Sequence, residues 1–282
     1  MNSGKANRAS RVAIALQTNE ILKTGSYSLD GRTIDLASDL SQMDEGTRLY
    51  RPGTLEKLLK DLGPSPVPQE TAIAVVNQTT FAAAHDLIKA GRPDPLCLNF
   101  ASAKNPGGGF LNGAQAQEEC LARASGLYRS LLLAPDYYAE NRGQTSLLYS
   151  HHCIYSPKVP VFRNDSDQLL AEPFGVSIVT APAPNAGAIR QNQPELISEI
   201  EPTFIQRIRF VLAIARENQH QNLVLGAWGC GVFANDPLWV ANAFRQVLAE
   251  SAFKGVFQKV VFAVLDHRPG TPTFNAFNTA FS

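Results

Sequence analysis

Glu118 and Glu119 are adjacent carboxylates, preceded by Gln117, and seven residues separate Gln117 from the glycine triplet Gly107, Gly108 and Gly109. Paired carboxylates suit general acid/base chemistry, provided that one of them holds its proton. Neighbours on a helix point about 100° apart, so both side chains can face one ligand near the helix start. A carboxylate in the first turn is stabilised as the anion, whereas a general acid needs the opposite. A like charge next door, or burial under a ligand, would raise the pKa of one of the pair. The alternative is a pair of acids that only complements the helix dipole.

The triplet follows an apolar stretch, "PLCLNFA", and precedes a helical one. Three glycines let a bulky group approach the backbone, as in a phosphate-binding loop. The dinucleotide fingerprint does not fit, because Asn112 stands at its sixth position and Gly113 comes one residue late. No G-K-[ST] follows, which excludes a P-loop. A second loop, "GAWGCGVFAND", carries Gly229, Cys230, Gly231, Val232 and Phe233 after another apolar run. Its backbone suits a diphosphate, and Phe233 could lie against a sugar or base. Asp236 and Pro237 read as N-cap and first residue of the next helix. The competing reading of each loop is a plain turn. At the end of "TAIAVVN", Asn77, Gln78 and Thr79 either face a ligand or cap a helix. "SHHC" (150–153) has no partner pair at metal-ligand spacing, so its histidines read as structural, and no metal site is expected. Cys97, Cys120, Cys153 and Cys230 form no C-x-x-C pair and read as reduced thiols with no nucleophilic role.

The elements that must position these groups begin at residue 70 or so. Strands at "TAIAVVN", "PLCLNFA", "SLLYS", "CIYSPKVPVFR", "FGVSIVTAPAP", "NLVLGAWG" and "KVVFAVLD" alternate with helices, among them one spanning about 116–133. Such alternation predicts a three-layer α/β/α domain with a largely parallel central sheet. Ligands bind at the carboxyl ends of such strands, where both glycine loops and "TAPAPN" fall. Before this region, "RASRVAIALQTNEILKTG" predicts a helix between Ser10 and Gly25, "YSLDGRTIDL" a hairpin, and "TLEKLLKDL" a helix. The Pro-rich "GPSPVPQE" marks a junction, so residues 1–66 are expected as a mainly helical N-terminal extension packed on a domain of residues 67–282.

The chain has 282 residues with 25 Lys plus Arg against 25 Asp plus Glu, which disfavours a general nucleic-acid binder. The N-terminus lacks the apolar core of a signal peptide and no run suits a membrane span, so a cytoplasmic protein without membrane contact is expected.

"NPGGGFLNGAQAQEE" resembles the GGG-x(6–8)-QEE signature of poly(ADP-ribose) glycohydrolases, and "LNFASAKNPGGG", "TAPAPN" and "GAWGCGVFAND" resemble its bacterial-type branch. The resemblance covers roughly residues 70–270, and the N-terminal segment resembles that branch's helical extension. It implies a macrodomain-like fold with a mixed sheet between helices, and exo-cleavage of the ribose–ribose O-glycosidic bond, which releases ADP-ribose with no cofactor. Glu119 is then the acid/base, and Glu118 holds ribose hydroxyls and influences the proton on Glu119. Asn105, Gly107, Gly108, Gly109 and Gln117 contact substrate around the reacting ribose and diphosphate. Gly229, Cys230, Gly231, Val232 and Phe233 bind the diphosphate and terminal ribose, while Asn77, Gln78 and Thr79 lie where macrodomains hold adenine. The implied setting is reversal of ADP-ribosylation in a DNA damage response, by a monomer acting on poly(ADP-ribosyl)ated proteins. The rival readings are a non-catalytic ADP-ribose-binding macrodomain, a mono-ADP-ribosyl hydrolase, and, from the glycine loops alone, a Rossmann-type oxidoreductase.

Overall fold

The computed structural model describes residues 7–65 and 70–282. Helix α1 (Arg8–Thr24) starts at Asn7, whose side chain accepts from Ser10 N, so Asn7 rather than Ser10 is the cap. It stops at Gly25, which takes φ 74°. Asp30 and Gly31 both take positive φ and turn the hairpin of β1 (Ser26–Leu29) and β2 (Arg32–Asp35). Then come α2 (Ala37–Gly46), β3 (Arg48–Tyr50) and α3 (Pro52–Asp61). The expected boundary at residue 66 lies outside the described residues.

The chain continues through β4 (Ala72–Val76), α4 (Thr80–Lys89), β5 (Leu96–Phe100), α5 (Gln117–Ala124), α6 (Leu127–Leu132), α7 (Pro135–Gly143), β6 (Cys153–Arg163) and β7 (Leu169–Ala181). It ends with α8 (Ala186–Asn192), α9 (Ile197–Glu217), β8 (Asn222–Leu225), α10 (Pro237–Leu248), β9 (Lys259–Ala263) and α11 (Pro272–Phe281). A seven-stranded sheet runs in the order β3-β6-β7-β5-β8-β9-β4. Strands β7, β5, β8, β9 and β4 are parallel, and β6 and β3 add antiparallel pairs at one side.

Side chains alternate between the two faces of a strand, and this alternation builds two cores. Leu96, Leu98, Leu223, Leu225, Val260 and Phe262 pack with Phe204, Val211, Phe244 and Phe277 of α9, α10 and α11. The residues between them, Cys97, Val224, Val261 and Ala263, pack with Phe81, Leu121, Leu127 and Tyr137 of α4, α5, α6 and α7 on the other face. Hence the three layers.

The local structure departs from the sequence reading in four places. The helix expected over 116–133 is two helices, because Ser125 is extended and bridges Val161 of β6 while Gly126 N donates to Pro160 O at 2.9 Å. "SLLYS" is a turn rather than a strand. Strand β6 is the expected "CIYSPKVPVFR", whereas β7 already begins at Leu169, ahead of the expected "FGVSIVTAPAP". Strand β4 is a sheet edge whose Ala72 and Ile73 are exposed, not a buried strand. Among the described residues, no helix is long and apolar enough to cross a membrane.

Candidate active site

Three loops leave the carboxyl ends of adjacent parallel strands: "TAPAPN" after β7, the glycine triplet after β5, and "GCGVF" after β8. The β5 loop and α5 form the core of the site. Gln117 fixes the start of α5 to β5: its Oε1 accepts from Phe100 N at 2.9 Å, and its Nε2 donates to Thr80 Oγ1 at 3.0 Å and Leu98 O at 2.8 Å. Its amide thus works inward, on the scaffold.

That anchor puts Glu118 inside the protein, 3% exposed. Glu118 Oε2 accepts from Ser102 N at 2.6 Å and Oε1 accepts from Asn99 Nδ2 at 3.3 Å. Burial pushes its pKa up to about 8, opposed by the Ser102 and Asn99 hydrogen bonds and helped to a lesser degree by the charge of Glu119. Desolvation, more than mutual repulsion, therefore keeps a proton in the pair. Asn99 is fully buried and also donates to Thr180 Oγ1 at 3.1 Å. These two residues were not singled out from the sequence. Their signal was there, as polar residues inside the apolar strands "LCLNFA" and "SIVTAP".

Glu119 lies one residue further along α5 and is half-buried. Its Oε1 accepts from Gly109 N at 3.0 Å. Gly108 has φ 59°, and a Cβ there would overlap Glu119 Oε1 and stand 3.3 Å from Glu118 Oε2. The missing side chain is filled by the carboxylates themselves, so both acids meet the loop at one point. Gly107 rests over the Phe110 and Tyr128 rings. Asn105 is exposed, with its N–H on Ser102 Oγ at 3.1 Å and its carbonyl accepting from Gly108 N at 3.0 Å.

The β8 loop is pinned from behind. Gly229 has φ 72°, and a Cβ there would come within 2.6 Å of both Ala183 Cβ and Asn235 Nδ2. Asn235 Nδ2 donates to Pro184 O and Gly229 O, both at 3.0 Å. Phe233 O accepts from Gly187 N at 2.9 Å, and the Phe233 ring lies 5.9 Å from that of Tyr149. Among the described residues, no acceptor meets the N–H groups of Gly231, Val232 and Phe233. Val232 is 88% exposed at the tip. Cys230 is half-buried, and burial raises its thiol pKa, so it is a poor nucleophile.

Asn77, Gln78 and Thr79 follow β4, which β9 separates from β8. Their side chains are engaged locally. Asn77 exchanges hydrogen bonds with the Asp266 backbone at 3.1 and 2.9 Å, and Gln78 Nε2 donates to Asp86 at 3.0 Å. Thr79 caps α4 through Ala82 N and donates to Asp165 at 2.9 Å. At the opposite side, His151 Nδ1 accepts from Arg207 Nε at 3.3 Å and His152 Nδ1 meets Ser150 Oγ at 3.0 Å. Among the described residues, no group of three or more His, Cys, Asp or Glu side chains is placed to share a metal ion.

Together, α5 brings two carboxylates of unlike environment to the β5 loop, and the β8 loop offers backbone donors to an anion. This pairing suits a sugar diphosphate with a bond to be cleaved by acid/base chemistry. Residues 15–164 match the family described as microbial-type PARG, catalytic domain. No curated protein matches. Among solved structures, the chain is 50% identical to poly(ADP-ribose) glycohydrolase (PARG) from Thermomonospora curvata, over 97% of this chain and 100% of that one, with a TM-score of 0.93. The same enzyme bound to the inhibitor ADP-HPD is 49% identical over 96% and 99%, with a TM-score of 0.89. The Deinococcus radiodurans enzyme in complex with ADP-ribose is 48% identical over 90% and 98%, with a TM-score of 0.79.

Proposed function

This chain belongs to the microbial-type poly(ADP-ribose) glycohydrolase family, and from that premise we propose that it hydrolyses ribose–ribose O-glycosidic bonds of poly(ADP-ribose) in exo mode, with Glu119 as acid and base. The observation that carries this reading is the placement of Glu119 against Gly108 and Gly109 at the end of β5, beside a buried Glu118 whose pKa desolvation pushes up.

The terminal unit's diphosphate lies on the β8 loop, where the N–H groups of Gly231, Val232 and Phe233 receive it. Its distal ribose then reaches the glycine triplet. Glu119 enters the step in its protonated form, gives that proton to the leaving ribose oxygen as the glycosidic bond breaks, and as carboxylate regains one from the water that attacks the oxocarbenium ion, which returns the residue to its starting state. Glu118, neutral and held by Ser102 N and Asn99, presents a hydroxyl group to ribose oxygens and keeps the pair from carrying two negative charges. Gln117 serves by anchoring α5. The reading extends to poly(ADP-ribosyl)ated proteins as substrates, to adenine near Asn77, Gln78 and Thr79, and to a monomer. It also extends to a reducing, cytoplasmic location, which the four free thiols support.

The test is release of free ADP-ribose from purified poly(ADP-ribose), comparing the wild type with Glu119→Ala, with ADP-ribose binding to both measured by calorimetry. The reading expects release by the wild type alone and binding by both. Binding by both with release by neither would make the protein a reader or a hydrolase of another ADP-ribosyl linkage.

A further inference from the structure

Between the glycine triplet and α5 lies a short connection whose position sets where Gly109 N meets Glu119. Three successive carbonyls of this connection are each held by an arginine. Arg8 Nε donates to Asn112 O at 3.0 Å, Arg11 Nε to Gly113 O at 2.8 Å, and Arg123 Nη1 to Ala114 O at 2.9 Å. Arg123 Nη2 also donates to Gln115 Oε1 at 2.8 Å. Two of the three arginines come from α1, far away in sequence.

The fit beneath these bonds is close. A Cβ on Gly113 would stand 2.5 Å from Arg8 O, so only a residue without one admits the helix here. Ala15 of α1, Phe110 of the connection and Ala122 of α5 form a small core of their own, apart from the two that line the sheet. Thr18 Oγ1 donates to Arg123 O at 2.7 Å and ties α1 to α5 directly. Helix α1 thus grips both ends of the unit that carries Glu118 and Glu119.

We propose that Arg8 and Arg11 are positioning residues: through them α1 sets the catalytic loop so that Gly109 stays on Glu119. This rests on the role given to Glu119 above. Carbonyl groups that accept from guanidinium groups are held by charge-assisted bonds, which are stronger than bonds between neutral partners. A loop freed from them shifts the carboxylate relative to the scissile bond, and a displacement of about 1 Å can cost roughly 100-fold in rate. The diphosphate is received by the β8 loop, which α1 does not hold, so affinity for the product is set elsewhere.

The test uses the full chain as Arg8→Ala/Arg11→Ala, as Arg11→Lys, and as Tyr27→Phe. The last removes the 2.5 Å bond from Tyr27 to Leu170 O and controls for general loosening near α1 without touching the loop. The double variant is expected to lose at least roughly tenfold in kcat, while ADP-ribose Kd changes less than about threefold. Arg11→Lys, which keeps a donor for Gly113 O, is expected to fall between the double variant and the wild type. Amide hydrogen exchange over residues 109–116 is expected to quicken in the double variant alone. A kcat no lower than that of Tyr27→Phe, an equal fall in kcat and product affinity, or unchanged exchange would overturn the proposal. A wild type that releases no ADP-ribose would instead sink the function proposed above, and the exchange measurement would still decide this one.

Discussion

At the residue scale, two adjacent glutamates differ in environment through depth alone. Glu118 is inside and Glu119 is at the surface of the loop. Glu119→Gln is expected to lower turnover roughly 10²–10⁴-fold, the usual worth of a general acid/base, with ADP-ribose still bound in calorimetry. Gly108→Ala is expected to do comparable damage from the other side of the same contact. Its methyl group would enter the space of the Glu119 carboxylate at φ 59°, and the left-handed backbone alone costs about 1–2 kcal/mol for a residue with a Cβ. Retained turnover in purified, folded Gly108→Ala would refute the close contact. Glu118 gives a stability prediction whose sign is fixed. Its folded pKa of about 8 exceeds the ordinary 4.5, so between these values the native state binds a proton that the unfolded chain lacks. Stability from this group is full below 4.5 and is lost as pH rises towards 8. Denaturant titrations at pH 5.5 and 8.5 are expected to show the wild type losing on the order of 3 kcal/mol relative to Glu118→Gln, at about 1.4 kcal/mol per pH unit. Parallel pH dependence in the two proteins would mean that Glu118 is ionised when folded.

At the element scale, the strand-end loops are rigid where they meet the scaffold and open where they face a ligand. Gly229→Ala is strained by φ 72° and by contact with Ala183 and Asn235, whereas a methyl group on Gly231 meets open space. A strain of about 1–2 kcal/mol corresponds to a factor of roughly 5–30. Weakening of that order in ADP-ribose Kd is expected for Gly229→Ala, and a change under threefold for Gly231→Ala. Similar losses in both would show that the exposed tip, and not the hinge, limits binding. What the sequence revealed follows the same division. Period and punctuation marked the parallel strands, the glycine loops and the helix that starts at Gln117. They did not mark the break at Ser125, because the apolar pattern runs on through "LARASGLYRSL" and only pairing with Val161 interrupts the helix. Nor did they show that Gly108 makes room for a carboxylate, since loop and helix meet only in three dimensions. The engagement of Asn77, Gln78 and Thr79 with Asp266, Asp86 and Asp165 was equally out of reach, because two of those partners are distant in sequence.

At the scale of the whole molecule, residues 7–65 contribute to the sheet and to both cores. Strand β3 pairs with β6 through Arg48, Leu49 and Tyr50, and so covers what would otherwise be an open edge. Tyr50 and Leu55 pack with Leu98 and Phe204 on one face, and Leu36, Leu40 and Met43 join Leu127 and Val159 on the other. Tyr50 also donates to Glu217 of α9, and Asp44 pairs with Arg129 of α6 at 2.6 Å. Removing this region would uncover a strand edge and strip buried apolar side chains from two layers at once, losses of about 2–5 kcal/mol per large side chain by the measure of single truncations. Several such losses exceed the 5–15 kcal/mol that holds a domain folded. Residues 67–282 expressed alone are therefore expected to show no cooperative unfolding transition and no ADP-ribose binding. The full chain is expected to unfold in one transition, coincident by fluorescence and circular dichroism. A fragment that melts cooperatively and binds ADP-ribose as the full chain does would show that β3 and the helices before it lie on a self-sufficient domain.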